Sequence, residues 1–293
     1  MGELSLAVDV GGTKLAVGLV DHEGHLSGVR TVPTPVSSDR DEIWGSLATE
    51  VTTVLGGAPF RPVVCGVGCG GPMDEETVSP LNIPAWRSFE LRRRLASLTG
   101  LATFVDNDAK ALALGEGWVG AAAGCANFMA MVVSTGVGGG IVVDGRLLSG
   151  RLGNAGHIGH VVVCPEGRRC RCGGRGCLEA EASGTAIAEI TGRSPREAPA
   201  EMVARTGRLV GQAAASVANL LDLRLVLVAG SVALGFGQPF FDAAQAEADQ
   251  RARLDFSAGL VVAPAGLGSA GPLVGAGAVG WSGLGRPVLG SVA

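Results

Sequence analysis

Leu4-Ser5-Leu6-Ala7-Val8-Asp9-Val10-Gly11-Gly12-Thr13-Lys14-Leu15-Ala16-Val17-Gly18-Leu19-Val20 decides the fold class of this 293-residue chain. A short apolar run ending at a carboxylate reads as a buried strand. Gly11-Gly12-Thr13 reads as a turn, and Lys14 to Val20 as the returning strand. Asp21-His22-Glu23-Gly24-His25 is a polar turn, and Leu26 to Pro33 gives a third strand. This meander puts Asp9 and the N–H groups of residues 11–13 at a hairpin tip. Glycine lets phosphate oxygens approach such a tip, and the Thr13 hydroxyl adds a donor. An ordinary glycine hairpin has the same sequence pattern, so the tip alone leaves both readings open.

Outward from the meander the pattern repeats. Residues 40–56 have helical spacing, Pro62 to Gly68 reads as a buried strand, and Cys69-Gly70-Gly71-Pro72 as a loop. Leu81-Asn82-Ile83-Pro84-Ala85-Trp86 is a second loop, whose amide and indole suit a polyol, although Trp86 serves equally as a core plug. Thr103-Phe104-Val105 runs into Asp106-Asn107-Asp108 at the start of a helix from Lys110 to Trp118. Helix capping explains one of these polar residues but not all three. Asn127 to Val133 is another buried strand, followed by a glycine-rich loop, Ser134 to Gly140. A dinucleotide fingerprint must open a helix. Here Ile141 to Arg146 follows with an Asp-Gly turn, so the loop reads as a second phosphate-binding hairpin. Helices are expected at 182–190, 200–221, 240–251 and 271–281, and strands at 224–229 and 259–263. The order is strand meander, helices, strand meander, helices, which predicts two similar α/β halves with a cleft between them.

Between the second meander and the later helices lies a cysteine segment spaced His160-x9-Cys170-x-Cys172-x4-Cys177. Zinc prefers four tetrahedral N/S ligands, and a Cys3His set with no open position is a structural site. Arg168, Arg169, Arg171 and Arg175 crowd the loop, and neighbouring cations favour thiolates. A set of buried or disulfide-bonded cysteines is the alternative. Cys164 and His157 are spare soft ligands nearby.

Composition narrows the function classes. With 47% hydrophobic and 17% charged residues the chain is globular rather than disordered. A net charge of −4 gives no basic footprint for nucleic acid. No apolar run reaches the roughly 18 residues of a membrane span, and no signal sequence is evident. Seven cysteines without such a signal are expected to be reduced or metal-bound in the cytoplasm. The 48 glycines read as ligand-handling loops on a β-rich frame.

Taken together, several stretches resemble the ROK family (repressors, open reading frames and sugar kinases) of the actin/hexokinase superfamily. They are Asp9-x-Gly11-Gly12-Thr13-Lys14, Leu81-Asn82-x-Pro84-x-Trp86, Asn107-Asp108-Ala109 and Thr135-Gly136-x-Gly138-Gly139-Gly140. Gly156-x-Ile158-Gly159-His160, the cysteine segment through Cys177-Leu178-Glu179, and Gly230-Ser231 complete the set. The resemblance implies an α/β fold with two RNase-H-like domains flanking a cleft and a structural zinc site. The expected division is an N-terminal domain over 1–107, with a helix over about 271–293 packing back on it, and a C-terminal domain over 108–270. It implies transfer of the ATP γ-phosphoryl to a sugar hydroxyl, usually the 6-OH of a hexose. Asp108 matches the family's general base. Asn107, His160 and Glu179 match its sugar contacts, which Asn82 would join. Asp9 would serve the magnesium side. Gly11, Gly12, Thr13, Lys14, Thr135 and Gly136 would meet phosphate, and Gly230 and Ser231 would lie near the adenosine. Zinc on His160, Cys170, Cys172 and Cys177 would orient His160 and Glu179. A homodimer or homotetramer is implied, and an inorganic polyphosphate donor also occurs among relatives.

One position departs from the pattern. The family's sugar kinases usually carry Glu where this chain has His157. A carboxylate accepts two hydroxyl hydrogen bonds, whereas a neutral imidazole offers one donor and one acceptor. Glucose or a close derivative is the expected substrate, with an amino sugar such as kanosamine (3-amino-3-deoxyglucose) or N-acetylmannosamine as the alternative. A tolerated variation in a glucokinase fits the same residue. Family repressors carry a helix-turn-helix before the first glycine motif, and there is no room for one ahead of Asp9. A sugar-binding protein without catalysis is the remaining class, disfavoured by an intact Asp108 and both glycine motifs.

Overall fold

The computed structural model describes residues 2–290 and divides into two compact units. The first runs through Gly124 and also takes Ser149–Ala155 and Leu267–Gly290; the second holds Cys125–Leu148 and Gly156–Gly266.

In the first unit, β1 (Leu4–Val10), β2 (Lys14–Asp21) and β3 (Leu26–Pro33) form the antiparallel meander read from the sequence. α1 (Arg40–Gly57) leads to β4 (Val64–Cys69), and α2 (Leu91–Thr99) to β5 (Ala102–Asn107), both strands parallel to β1. The sheet order is β3-β2-β1-β4-β5. β1 and β4 are buried along their whole length because helices cover both faces, which is why their sequences are continuously apolar. β3 is the edge strand and is largely exposed, so its sequence carries polar residues. α1 starts at Asp39, whose side chain accepts from Asp41 N. Its Ile43, Leu47, Val51 and Val54 pack on Val8, Val10, Leu15 and Val17 of the sheet. Each such burial contributes roughly 1.5–3 kcal/mol.

α3 (Asp108–Val119) was expected in the second domain, yet it packs against β4, β5 and the last helix in the first unit. The division therefore falls after α3 and not between residues 107 and 108. The chain from Leu267 to Gly290 belongs to this first unit, and residues 291–293 of the expected tail lie outside the described residues.

The second unit repeats the plan. β6 (Phe128–Val133), β7 (Val137–Val143) and β8 (Arg146–Leu147) are an antiparallel meander. A short 3-10 turn (Ile158–His160), α4 (Leu178–Ala182), α5 (Gly184–Thr191) and α6 (Ala200–Leu221) follow. β9 (Leu225–Ala229), α7 (Ser231–Phe236), α8 (Gln238–Arg251) and β10 (Val261–Pro264) complete the unit. β9 and β10 run parallel to β6, giving the order β10-β9-β6-β7-β8. Read outward from the meander, both sheets have one topology, two antiparallel neighbours on one side of the first strand and two parallel ones on the other. Among the described residues no helix is long and apolar enough to cross a membrane.

Two expectations need correction. Gly138, Gly139 and Gly140 are not in a loop but inside β7, because the segment from Gly156 to Gly159 lies directly on that strand. A Cβ on Gly159 would stand 2.3 Å from Val137 O, and one on Gly156 would stand 2.2 Å from Gly139 O. The helix expected over 182–190 is two helices, broken at Ser183, whose hydroxyl caps α5 by accepting from Ala186 N at 3.1 Å.

α9 (Gly271–Gly283) shows why many glycines lie outside loops. A Cβ on Gly66 of β4 would come within 2.0 Å of Ala276 O, so helix and strand meet backbone to backbone. Beside that contact, the buried hydroxyl of Ser5 finds no hydrogen-bond partner. We predict that Gly66→Ala costs more than about 2 kcal/mol, because the shift must come from backbone. Ser5→Ala is expected to gain about 1 kcal/mol by removing an unpaired buried hydroxyl. Urea denaturation of both variants checks the two signs.

Candidate active site

The expected site residues fall into two groups, one in each unit. In the first unit, Asp9 lies one residue before the end of β1, opposite Gly68 of β4 and Ala16 of β2. The turn after it is tight. Gly11 N donates to Lys14 O at 3.0 Å, and Thr34 fastens it through its hydroxyl to Gly11 O and its N–H to Thr13 O. Asn82 packs on this turn so closely that a Cβ on Gly12 would stand 2.4 Å from the Asn82 Cβ. Gly11, Gly12, Thr13, Lys14 and Asn82 are thus one cluster, and Gly12 through Lys14 and Asn82 are exposed.

The Asp106-Asn107-Asp108 run separates into three roles. Asp106 pairs with Lys110 at 2.8 Å, and the buried Lys110 also donates to Gly153 O at 3.0 Å. Asn107 caps α3, its side chain accepting from Ala109 N at 3.0 Å. Asp108 also receives the Ala109 N–H, at 2.8 Å, but among the described residues it forms no ion pair, and it faces the end of β4. A Cβ on Gly70 would stand 3.2 Å from its Oδ2. Gly68 is flanked by Asp108 Cα and Asp9 Oδ1, at 3.7 and 3.8 Å from the same construction.

The charge of one carboxyl acts on the other. Asp9 is raised to about 7, mainly by burial and then by the negative charge of Asp108, with Lys14 opposing. Burial also raises Asp108, opposed by the N–H groups of Ala109 and of Asp108 itself. The buried thiol of Cys69 lies in the same field and is held well above its ordinary value, mainly by burial and then by both aspartates. A cavity of about 200 Å³ opens beside Asp9, lined by Lys14, Thr31, Ser269 and Leu273 among others. Trp86, by contrast, is core. It is fully buried, stacks on Phe89 with ring centroids 4.1 Å apart, and donates its indole N–H to Arg40 O.

In the second unit, Ser134-Thr135-Gly136 closes the hairpin between β6 and β7, with Ser134 N donating to Gly136 O. Three helix starts hold it. Gly184 N and Thr185 Oγ1 of α5 donate to Ser134 O and Thr135 O, and Ser231 at the start of α7 meets Ser134 Oγ at 2.9 Å. Gly230 before it must be glycine, since its φ is +102° and a Cβ would strike Val133 O at 2.3 Å. Glu179 of α4 accepts from Val137 N at 2.9 Å.

His160, Cys170, Cys172 and Cys177 bring one ligand atom each to within 4.8 Å of all the others. Cys172 and Cys177 sulfurs are 3.7 Å apart, and Cys170 Sγ is 3.6 Å from His160 Nδ1. Zn–S bonds of about 2.3 Å and a Zn–N bond of about 2.0–2.1 Å at tetrahedral angles require about 3.8 and 3.6 Å, so the donors fit. Cys177 is pushed up to about 12, first by burial and then by the neighbouring sulfurs, while the Gly174 N–H holds Cys172 low. Thiols this close ionise together only with a cation between them. Cys164 is not in the cluster, and the chain forms no disulfide. The His157 ring is half-buried and stacks beside His160 at 6.0 Å.

Several participants were not singled out from sequence. Gly68 and Gly70 make room for the carboxyls, and Ser134 pairs with Ser231. Buried Glu181 takes the Arg168 N–H at 2.6 Å and an Arg205 ion pair, anchoring the cysteine loop to α6. A Gly-x-Gly after a strand was a usable signal for the first; nothing local marks the others.

A family model described as ROK family matches residues 5–280. A glucokinase of Thermotoga maritima is 42% identical over 188 residues, 62% of this chain and 58% of that protein. The chain thus spans less than two thirds of that relative. An N-acetylmannosamine kinase of Citrobacter koseri is 36% identical over 248 residues, 80% of this chain and 85% of that protein. The crystal structure of a ROK family glucokinase from Streptomyces griseus in complex with glucose and AMPPNP superposes with a TM-score of 0.83. It is 29% identical and covers 95% of this chain and 99% of that one.

The Asp9 shift makes a stability prediction. Its folded-state value lies above the unfolded one, so the folded protein holds the extra proton between about pH 4 and 7. Stability is therefore lost as pH rises through that window. Asp9→Asn removes this loss, worth up to about 4 kcal/mol. In the metal-free protein the variant is expected to gain stability over wild type at pH 8 but not at pH 4, by thermal melting at both.

Proposed function

This chain belongs to the ROK family, and on that premise we propose that it is an ATP-dependent hexose kinase. It would transfer the γ-phosphoryl to the 6-hydroxyl of glucose or a close derivative. The observation that carries this reading is Asp108. It is the one carboxyl of the Asp106–Asp108 run left without an ion pair or an exclusive capping duty, and it sits beside Asp9 at the foot of the Gly11–Thr13 turn. Phosphoryl transfer needs alignment, neutralisation of phosphate charge, and a base for the attacking hydroxyl. Asp108 takes that proton, and its raised affinity for protons improves it as a base near neutral pH.

Magnesium, when bound, neutralises phosphate charge, and Asp9 is the residue for its side. A buried carboxyl raised to about 7 is a group that a nearby cation restores to its charged form. The N–H groups of Gly12 and Thr13 with Lys14, and those of Thr135 and Gly136, take phosphate, while the Gly11 N–H is held by Lys14 O and shapes the turn. Gly230 and Ser231 border the adenosine. Asn82, Asn107, His157, His160 and Glu179 hold the sugar. Zinc on His160 Nδ1 and the three thiols leaves the other ring nitrogen of His160 for a hydroxyl, an orienting role rather than a Lewis-acid one.

An amino sugar or N-acetylmannosamine is the second reading, favoured by His157 in the place of Glu and by the similarity to an N-acetylmannosamine kinase. Assembly as a homodimer or homotetramer accompanies either reading.

ADP release with ATP and magnesium across glucose, mannose, N-acetylmannosamine, glucosamine and 3-amino-3-deoxyglucose tests the function. Turnover on at least one is expected, with Asp108→Asn lowering kcat by roughly 10²–10⁴-fold while the sugar still binds. Absence of turnover on all of them would leave a sugar-binding protein. His157→Glu is expected to shift the ranking toward glucose if His157 reads the sugar. The metal is tested separately: one equivalent of zinc per chain is expected from elemental analysis, and Cys170→Ser is expected to lose it.

A further inference from the structure

We propose that Glu179 is a positioning residue for the phosphate hairpin, so that one carboxylate ties nucleotide binding to the sugar side of the site. This rests on the kinase reading above and adds to Glu179 a task separate from holding the sugar.

Two observations converge. Glu179 Oε2 accepts from Val137 N at 2.9 Å, where the Thr135–Gly136 turn enters β7. The same oxygen presses on the turn, since a Cβ on Gly136 would stand 2.8 Å from it. Glycine at 136 leaves room for the carboxylate, which a Cβ there would oblige to shift. The contact sets the hairpin from the side that the starts of α5 and α7 leave open. Gly184 and Thr185 fix the carbonyls of Ser134 and Thr135, and Ser231 fixes the Ser134 hydroxyl. The Glu179 contact fixes the strand-side N–H of Val137.

The carboxylate is itself placed by its helix. Leu178 N donates to Val161 O at 2.9 Å, directly after the 3-10 turn carrying His160. Cys177 precedes α4 and brings its sulfur to the Cys3His cluster. Two residues further on, Glu181 fixes the other end of the cysteine loop. Cys177 and the five-residue helix α4 after it thus present three side chains to three targets: the metal-ligand cluster, the phosphate hairpin and the loop anchor. A displacement of Glu179 by a sugar moves its hydrogen bond to Val137, and with it the turn that meets phosphate.

The test separates the acceptor from the charge. Glu179→Gln retains a carbonyl oxygen that accepts from Val137 N. Glu179→Asp keeps the charge but withdraws it by one methylene, and Glu179→Ala removes both. AMPPNP with magnesium is titrated calorimetrically into each protein without sugar, and exchange of the Val137 amide is followed by NMR. Zinc content and thermal melting establish that each variant is folded. The Ala and Asp variants are expected to bind AMPPNP about tenfold or more weakly and to exchange Val137 faster, with Gln within about threefold of wild type. Should Ala fail to fold, Asp against Gln decides the matter. Unchanged AMPPNP affinity in Ala and Asp, or equal losses in Gln and Asp, overturns the proposal. A wild type that binds no AMPPNP would bring down the kinase reading itself, a distinct result.

Discussion

Two carboxyls that cannot both ionise cheaply stand at the centre of the first unit. Asp9 and Asp108 reach the end of β4 from opposite sides, one from the neighbouring strand and one from the helix after β5. Burial favours the protonated form of each, and the charge of Asp108 makes that of Asp9 costlier still. Much of the local architecture serves this meeting. The parallel register of β1, β4 and β5 sets Asp9 against Gly68 and Asn107 against Cys69. Gly70 leaves space for Asp108, since a Cβ there would stand 3.2 Å from Oδ2. Lys110 satisfies Asp106 and Asn107 caps α3, so neither competes for the role of Asp108.

The second constraint is backbone proximity. Gly66 against Ala276 and Gly156 against Gly139 place main chain on main chain, and the same holds for Gly207 and Gly211 of α6 against α8. Such contacts draw α9 onto the sheet behind Asp9 and seat the His157–His160 segment on β7. They explain the glycine content better than ligand loops do. Other glycines serve turns at positive φ, among them Gly24, Gly145, Gly173 and Gly176.

Legibility of the sequence followed how local the cause was. The strands β1 and β6 and the helices α1 and α6 were readable from hydrophobic period, because burial against one partner fixes each. The Asp144-Gly145 turn was readable because its positive φ values demand those residue types. The metal-ligand spacing was readable because the cysteine loop closes on itself within 18 residues of His160. Gly138–Gly140 were misplaced into a loop because their cause is a segment some 20 residues later in the chain. The boundary at 107 failed likewise, since α3 is held by α9 from far along the sequence. Of the site, Asp9 and Asp108 were visible as residues. The shift of Asp9 by the Asp108 charge was not, because it arises only when three strands and a helix are in register.

The most direct measurement of that central pair is a carboxyl 13C NMR titration of the metal-free protein, in wild type and in Asp108→Asn. Asp9 is expected to titrate near 7 in wild type and at a lower pH once the Asp108 charge is gone. An Asp9 that titrates near 4 in both proteins would contradict the account, since the two carboxyls would then be neither buried enough nor close enough to act on one another.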